Sequence, residues 1–128
     1  MAYGIPVLDI TLRAAADLSE NQFYFAAVDT DGFADLPAGA GDPIAGVIQN
    51  KPGAATGAAD EAASIRVYGV SKVVLGDTVA AGDLVTTDAN GAAVTAATGD
   101  YVAGVALMGG EAGEIVSVLL THGGYVPA

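Results

Sequence analysis

The sequence predicts an all-β protein, a compact β-barrel or β-sandwich of about 8–10 short strands with little helix. Two observations carry this. Short alternating or β-branched runs recur along the chain, each closed by Gly, Asp, Asn or Pro. Two of these runs also repeat in order, as two hairpins packed with rough symmetry would.

The elements follow in sequence. Leu8–Arg13 alternates, with Leu8, Ile10 and Leu12 on one face. Ala14–Glu20 suits either a helical turn or an open turn through Asp17-Leu18-Ser19-Glu20-Asn21. Phe23–Val28 reads as a strand with Phe23 and Phe25 on one face, stopped by Asp29-Thr30-Asp31-Gly32. Pro43–Gln49 is the next apolar strand, and Asn50–Ala63 reads as a long Gly/Ala loop. Ser64–Val70 alternates with Ile65, Val67 and Gly69 on one side, and Lys72–Leu75 is a short β-branched run. Val79–Val85 holds a turn and the start of a strand. Asp88-Ala89-Asn90-Gly91 is a hairpin signal, since Asn-Gly fits a type I′ turn, and Ala92–Thr95 returns the chain. Tyr101–Leu107 and Glu114–Leu120 make the final pair, joined through Gly109–Gly113.

The repeat is Ile44-Ala45-Gly46-Val47 against Val102-Ala103-Gly104-Val105. Each is followed, after a Gly/Ala-rich stretch, by a β-branched strand: Ile65–Val70 in one case, Ile115–Leu120 in the other. The expected organisation is an extended N-terminal arm over residues 1–10, a single β domain over 11–122 and a short C-terminal tail over 123–128.

Composition narrows the function. The 128 residues bury roughly two thirds of their unfolded surface, enough for one core. There is no Cys, so neither a disulfide nor a thiolate metal site is available. The net charge is −11, and Arg13, Lys51, Arg66 and Lys72 are the only basic residues. They are scattered, which argues against nucleic acid and anionic membrane surfaces as partners. No signal peptide is expected at the N-terminus, and no apolar stretch is long enough for a transmembrane helix. Gly and Ala dominate the hydrophobic fraction and aromatics are few. Small side chains contribute little burial each, so subunit association is the expected source of the missing area.

Candidate chemistry is sparse. His122 is the only histidine, in Thr121-His122-Gly123-Gly124 past a strand, and is expected at the surface. Asp29, Asp31 and Asp35 surround Gly32 in an oxygen-rich loop that suits either Ca²⁺ or an ordinary acidic turn. The EF-hand pattern is not met, because Gly32 is fourth and Ala40 occupies the twelfth position. Gly76-Asp77-Thr78-Val79-Ala80-Ala81-Gly82-Asp83-Leu84 resembles a hairpin of lipoyl and biotinyl carrier domains. No Lys follows Lys72, so the modifiable residue of such carriers is missing, and the string reads as turns with Val79 and Leu84 pointing inward. Gly109-Gly110 and Gly123-Gly124 lack the Lys of a phosphate loop, and Asp60 and Glu61 read as solvated charge. No cofactor is expected and no enzymatic activity.

Several strings occur in the order found in small tailed-phage virion proteins. They are Ala15-Ala16-Asp17-Leu18-Ser19, Ile44-Ala45-Gly46-Val47, Val67-Tyr68-Gly69-Val70, Val79-Ala80-Ala81-Gly82-Asp83-Leu84-Val85, Val102-Ala103-Gly104-Val105-Ala106-Leu107 and Ile115-Val116-Ser117-Val118-Leu119-Leu120. Over Thr11–Leu120 the chain thus resembles the capsid decoration or cement proteins of the DUF2190 type. The resemblance implies a β-barrel-like subunit, made in the host cytoplasm, that binds the outside of a capsid as a homotrimer and stabilises the shell. Its partners would be the major capsid protein and other copies of itself. The apolar segment Ala2–Leu8 is expected either to add to another subunit's sheet edge or to fray, with Ile5, Pro6, Val7 and Leu8 the contact residues in the first case. The alternative function is a head-fibre or tail-associated carbohydrate or adhesion module. It would need exposed aromatics, Tyr68 and Tyr101 among them, in a chain without Trp.

Overall fold

The longest strand organises everything else. The computed structural model describes residues 2–55, 58–59 and 61–127. Among them the strands are β1 (Ile5–Arg13), β2 (Phe25–Val28), β3 (Ala34–Asp35), β4 (Gly46–Ile48), β5 (Ala54–Ala55), β6 (Ala58–Ala59), β7 (Ala62–Val74), β8 (Leu84–Thr87), β9 (Ala93–Thr95), β10 (Gly104–Ala106) and β11 (Ile115–Leu120). No helix occurs among the described residues, so the fold is all-β as the sequence predicts. One antiparallel sheet runs β3-β2-β4-β7-β11-β10-β8-β9 and curls into a half-barrel, with β1 also paired to β7. β5 and β6 pair with each other.

β7 joins the run read as Ser64–Val70 to Lys72–Val74 of the run read as Lys72–Leu75, and Leu75 makes an isolated bridge to Ala93. The strand pairs with β1 through Ile5↔Val70 to Arg13↔Ala62, with β4 at Val47↔Arg66, and with β11 from Gly69↔Leu120 to Val74↔Ile115. Its inward positions are apolar or small, so the strand packs along the half-barrel's concave side. Phe25, Val47, Val73, Val85, Val116, Val118 and Leu120 form one buried cluster; Leu18, Ala26, Ile48, Ala63 and Ile65 form a second. Ile10 and Leu12 of β1 pack on the second.

The internal repeat has a steric cause. β4 opens on Gly46 and β10 on Gly104. A Cβ at Gly46 would collide with the Arg66 carbonyl oxygen, and one at Gly104 with the Leu119 carbonyl oxygen. Each glycine lets its short strand approach the backbone of its long partner, so the same Ala-Gly-Val string recurs where the same close pairing does.

Several expectations need correction. Phe23 does not belong to β2: it takes a φ of 68° and ends the segment before the strand begins. Only Phe25 is buried of the pair. Leu84 is exposed and Val85 takes the inward place, because the turn delivers β8 one residue out of the expected phase. The loop read over 50–63 contains the β5–β6 pair and the start of β7. Ala14–Glu20 makes turns, with the Leu18 N–H bonded to the Pro52 carbonyl. The hairpin at Asp88–Gly91 forms, but only Gly91 has a positive φ, so it is no type I′ turn. Instead, the Asp88 carboxylate accepts the N–H groups of Asn90 (2.8 Å) and Ala92 (2.9 Å). Asp60 lies outside the described residues.

Candidate outer-face interaction site

The outer face of β7 and its neighbours is where unusual features gather. Along β7, Ile65, Ser71 and Val73 are buried, while Arg66, Tyr68, Lys72 and Val74 stay accessible. Paired residues on adjacent antiparallel strands share a face. Ile5 and Leu119 both pair with Val70, Leu8 pairs with Tyr68, and Ile115 with Val74. These residues therefore cover one outward surface. Ile5 (54% exposed), Leu8 (45%), Tyr68 (43%), Ile115 (43%) and Leu119 (40%) leave much of their apolar area in solvent. A sheet with one solvated face ordinarily carries polar residues there. A contiguous apolar face marks contact with other protein.

An aromatic cluster adjoins it. The rings of Tyr68 and His122 meet edge-on with centroids 5.0 Å apart, Tyr101 and His122 at 6.1 Å, and Tyr101 and Tyr125 at 5.5 Å. His122 has a φ of 48° and both ring nitrogens are engaged. Its Nε2 is 2.7 Å from the Val67 carbonyl, which can only accept, so Nε2 carries the proton. In the neutral ring Nδ1 then accepts from the Tyr101 hydroxyl at 2.8 Å. His122 is thus a part-buried bracing residue, where the sequence suggested a surface one. Burial, and then the proximity of Tyr68 and Tyr125, push the Tyr101 hydroxyl's pKa above its ordinary value. The tail is tied down beneath the cluster: Gly124 O accepts from Val102 N–H, and Val126 bonds both Asp100 and Gly99.

On the other side of Val70 lies an open cavity of about 370 Å³ lined by Gly4, Phe23, Gln49, Arg66 and Lys72. Arg66 is fixed: Nε and Nη2 donate to the Asp9 carboxylate at 2.9 and 3.2 Å, and Nη1 to the Val70 carbonyl at 3.1 Å. The Lys72 ammonium sits 5.6 Å from the centre of the Phe23 ring. The N-terminal segment crosses nearby, with Ser117 Oγ accepting from Tyr3 N–H (2.7 Å) and donating to Tyr3 O (3.0 Å).

Ile5, Pro6, Val7 and Leu8 are all exposed, yet Ile5, Pro6 and Leu8 pair with the chain's own β7, with register shifts on both sides of Leu8. The Asp29 carboxylate accepts from the Asp31 and Phe33 N–H groups, and Asp35 from Leu36. No group of three or more His, Asp or Glu able to hold a metal occurs among the described residues. In the carrier-like string Val79 exchanges two backbone hydrogen bonds with Gly110, and the Asp83 carboxylate accepts from Ala80 N–H and Thr95 hydroxyl. No helix long and apolar enough to cross a membrane occurs among the described residues.

Sequence reading missed the partners of this face. Phe23, Lys72 and Gln49 lie far apart in the chain and only the sheet's curl unites them. Tyr125 gave no signal of its own. The exposed β11 positions did: Ile115–Leu120 is apolar at neighbouring positions, more than a one-sided sheet needs.

No family model matches the chain, and no curated protein does. Among solved structures the fold has a counterpart. It is similar to the head fibre gp8.5 N base of bacteriophage phi29. The TM-score is 0.69 at 18% identity, over 94% of this chain and 98% of that one.

Proposed function

We propose that this chain is a structural protein of a phage virion, held on the capsid exterior, where it binds the major capsid protein as a homotrimer and stabilises the shell. The observation that carries this is the end-to-end likeness in fold to a phage head-fibre base. The ordered decoration-protein strings over Thr11–Leu120 favour the same class. The apolar outer face supplies a surface for contact, with Ile5, Pro6, Val7 and Leu8 at its edge. We read the protein as non-catalytic and free of cofactors, with neither nucleic acid nor membrane as partner. The test is co-sedimentation with undecorated capsids, together with native mass spectrometry. Binding by a trimer is expected; a monomer that stays in the supernatant of every such shell overturns the proposal.

The second reading is a head-fibre adhesion module that binds carbohydrate. The cluster of Tyr68, Tyr101, Tyr125 and His122 favours it, since sugar rings stack on exposed aromatic faces. Glycan-array binding that is lost in Tyr68→Ala would establish it.

A further inference from the structure

The hairpin tip between β8 and β9 carries a reactive pair that the fold restrains. Of the three asparagines, only Asn90 is followed by glycine. With no side chain on Gly91, its backbone nitrogen can reach the Asn90 side-chain carbonyl carbon, an approach that Gln22 and Lys51 hinder after Asn21 and Asn50. Asn50 is restrained further: its Nδ2 donates to the Ala62 carbonyl (2.9 Å) and its Oδ1 accepts from the Ser64 N–H (3.0 Å). The Asn90 side chain is exposed and makes no hydrogen bond among the described residues. Its restraint comes from the backbone. The Gly91 N–H donates to the Asp88 carbonyl (3.2 Å), and the Gly91 carbonyl accepts from the Phe25 N–H (2.8 Å). The Asp88 carboxylate accepts from the Asn90 N–H (2.8 Å) and the Ala92 N–H (2.9 Å), on both sides of the reactive bond. A Cβ at Gly76 would collide with Asp88 Oδ2, so that glycine leaves room for the carboxylate.

We propose that Asn90 is a self-modification site, and that the Asp88 cap decides when it reacts. In the closed tip the Gly91 nitrogen is engaged and its position is set from both sides, so attack waits for local opening. Once the tip opens, the Gly91 nitrogen bonds to Asn90 Cγ, the Cγ–Nδ2 bond breaks, and ammonia leaves with the proton given up by the Gly91 nitrogen. Water then opens the cyclic imide, its oxygen adding to a carbonyl carbon and its proton returning to the Gly91 nitrogen. Breaking the new bond to Cγ gives aspartate. Breaking the original peptide bond gives isoaspartate, whose backbone is longer by one methylene. The second product closes the way back. The longer backbone shifts Gly91 and Ala92 relative to Asp88, so one carboxylate no longer holds both N–H groups, and the Phe25–Gly91 bond is lost with them. Phe25 belongs to the main core cluster, so the change at the tip reaches the core. For a subunit of an assembled shell, as read above, closure of the tip sets how long the hairpin stays intact; the chemistry itself does not depend on that reading.

The test is incubation of the full chain at mildly alkaline pH, folded and in urea, with isoaspartate at residue 90 followed by peptide mapping and folding checked by circular dichroism. The folded wild type is expected to react at least about tenfold more slowly than the chain in urea. Asp88→Ala removes two charge-assisted hydrogen bonds and should speed the folded reaction about tenfold. Asp88→Asn keeps an acceptor oxygen and should fall between the two. Should Asp88→Ala fail to fold, Gly76→Ala displaces the carboxylate without removing it and should speed the reaction in the same direction. Asn90→Asp supplies the charge without the extra methylene and should unfold in urea as wild type does, whereas the isoaspartyl fraction should unfold at lower urea. Equal rates in the folded and unfolded chain, or a folded Asp88→Ala that reacts at the wild-type rate, overturn the gate. Absence of isoaspartate at residue 90 in urea overturns the site, and an isoaspartyl fraction as stable as wild type overturns its one-way consequence. None of these results depends on capsid binding, so the site stands or falls separately from the function proposed above.

Discussion

The two faces of the β7–β11 pair are built from the same kinds of residue and have opposite fates. Inward, Val116, Val118 and Leu120 alternate with Ile115, Ser117 and Leu119 outward. The inward three are almost wholly buried, whereas Ile115 and Leu119 remain two-fifths exposed. Had the outer face evolved only to meet water, its positions would be polar. The difference separates residues that hold the fold from residues whose apolar surface has no partner within the chain.

The largest effect expected is at Val118, which is fully buried in the main core cluster. Val118→Asp places an unpaired charge there, costs about 5 kcal/mol, and leaves a chain near the limit of its stability. Circular dichroism should show loss of the folded β signal at 25 °C. A folded Val118→Asp would mean the inner face tolerates charge and the contrast between faces is false. Next comes Gly104→Ala, which forces a methyl against the Leu119 carbonyl oxygen. About 3 kcal/mol is expected, as for an overpacked core, read from urea unfolding. Gly46→Ala should cost a similar amount if the two repeats are equivalent in energy as they are in geometry.

A smaller, pH-dependent effect belongs to the aromatic cluster. The folded state raises the Tyr101 pKa, mainly through burial, so it holds the phenolic proton more tightly than the unfolded chain. The associated stability is complete below about pH 10 and falls as pH rises through the folded value. Tyr101→Phe should flatten this alkaline decline in Tm. It should also lower stability at neutral pH by about 1 kcal/mol, because His122 Nδ1 loses its donor. An unchanged alkaline slope would remove Tyr101 as its cause.

Strand content, the final hairpin and the repeat were legible because alternation and turn residues act locally. The inward position of Ile65 followed from the same period. The phase of β8 did not, since one residue in the turn at Gly82 decides whether Leu84 or Val85 faces inward. Phe23 was misplaced because its apolar character fits a strand, while its actual conformation is imposed by bonds to Ile48 and Val74 from other elements. The cavity was illegible for the same reason: Phe23 and Lys72 meet only through tertiary structure. His122 was visible, but its bonds to Tyr101 and Val67 could not be inferred from its tail-end position.

The smallest effect on stability is the most informative about function. Leu119 is adjacent to Val118 and equally apolar, yet it points out beside Ile5 and Val70. Leu119→Asp should shift the unfolding free energy by no more than about 1 kcal/mol, because the side chain already meets water and a charge there stays solvated. The same change should disrupt self-association, since it puts a charge into the apolar area a partner would bury. Sedimentation and urea unfolding on one sample separate the two effects. Wild-type association in a stably folded Leu119→Asp would show that the outer face is merely tolerated apolar surface. Loss of association with stability retained would place on adjacent residues of one strand the division between holding the fold and meeting a partner.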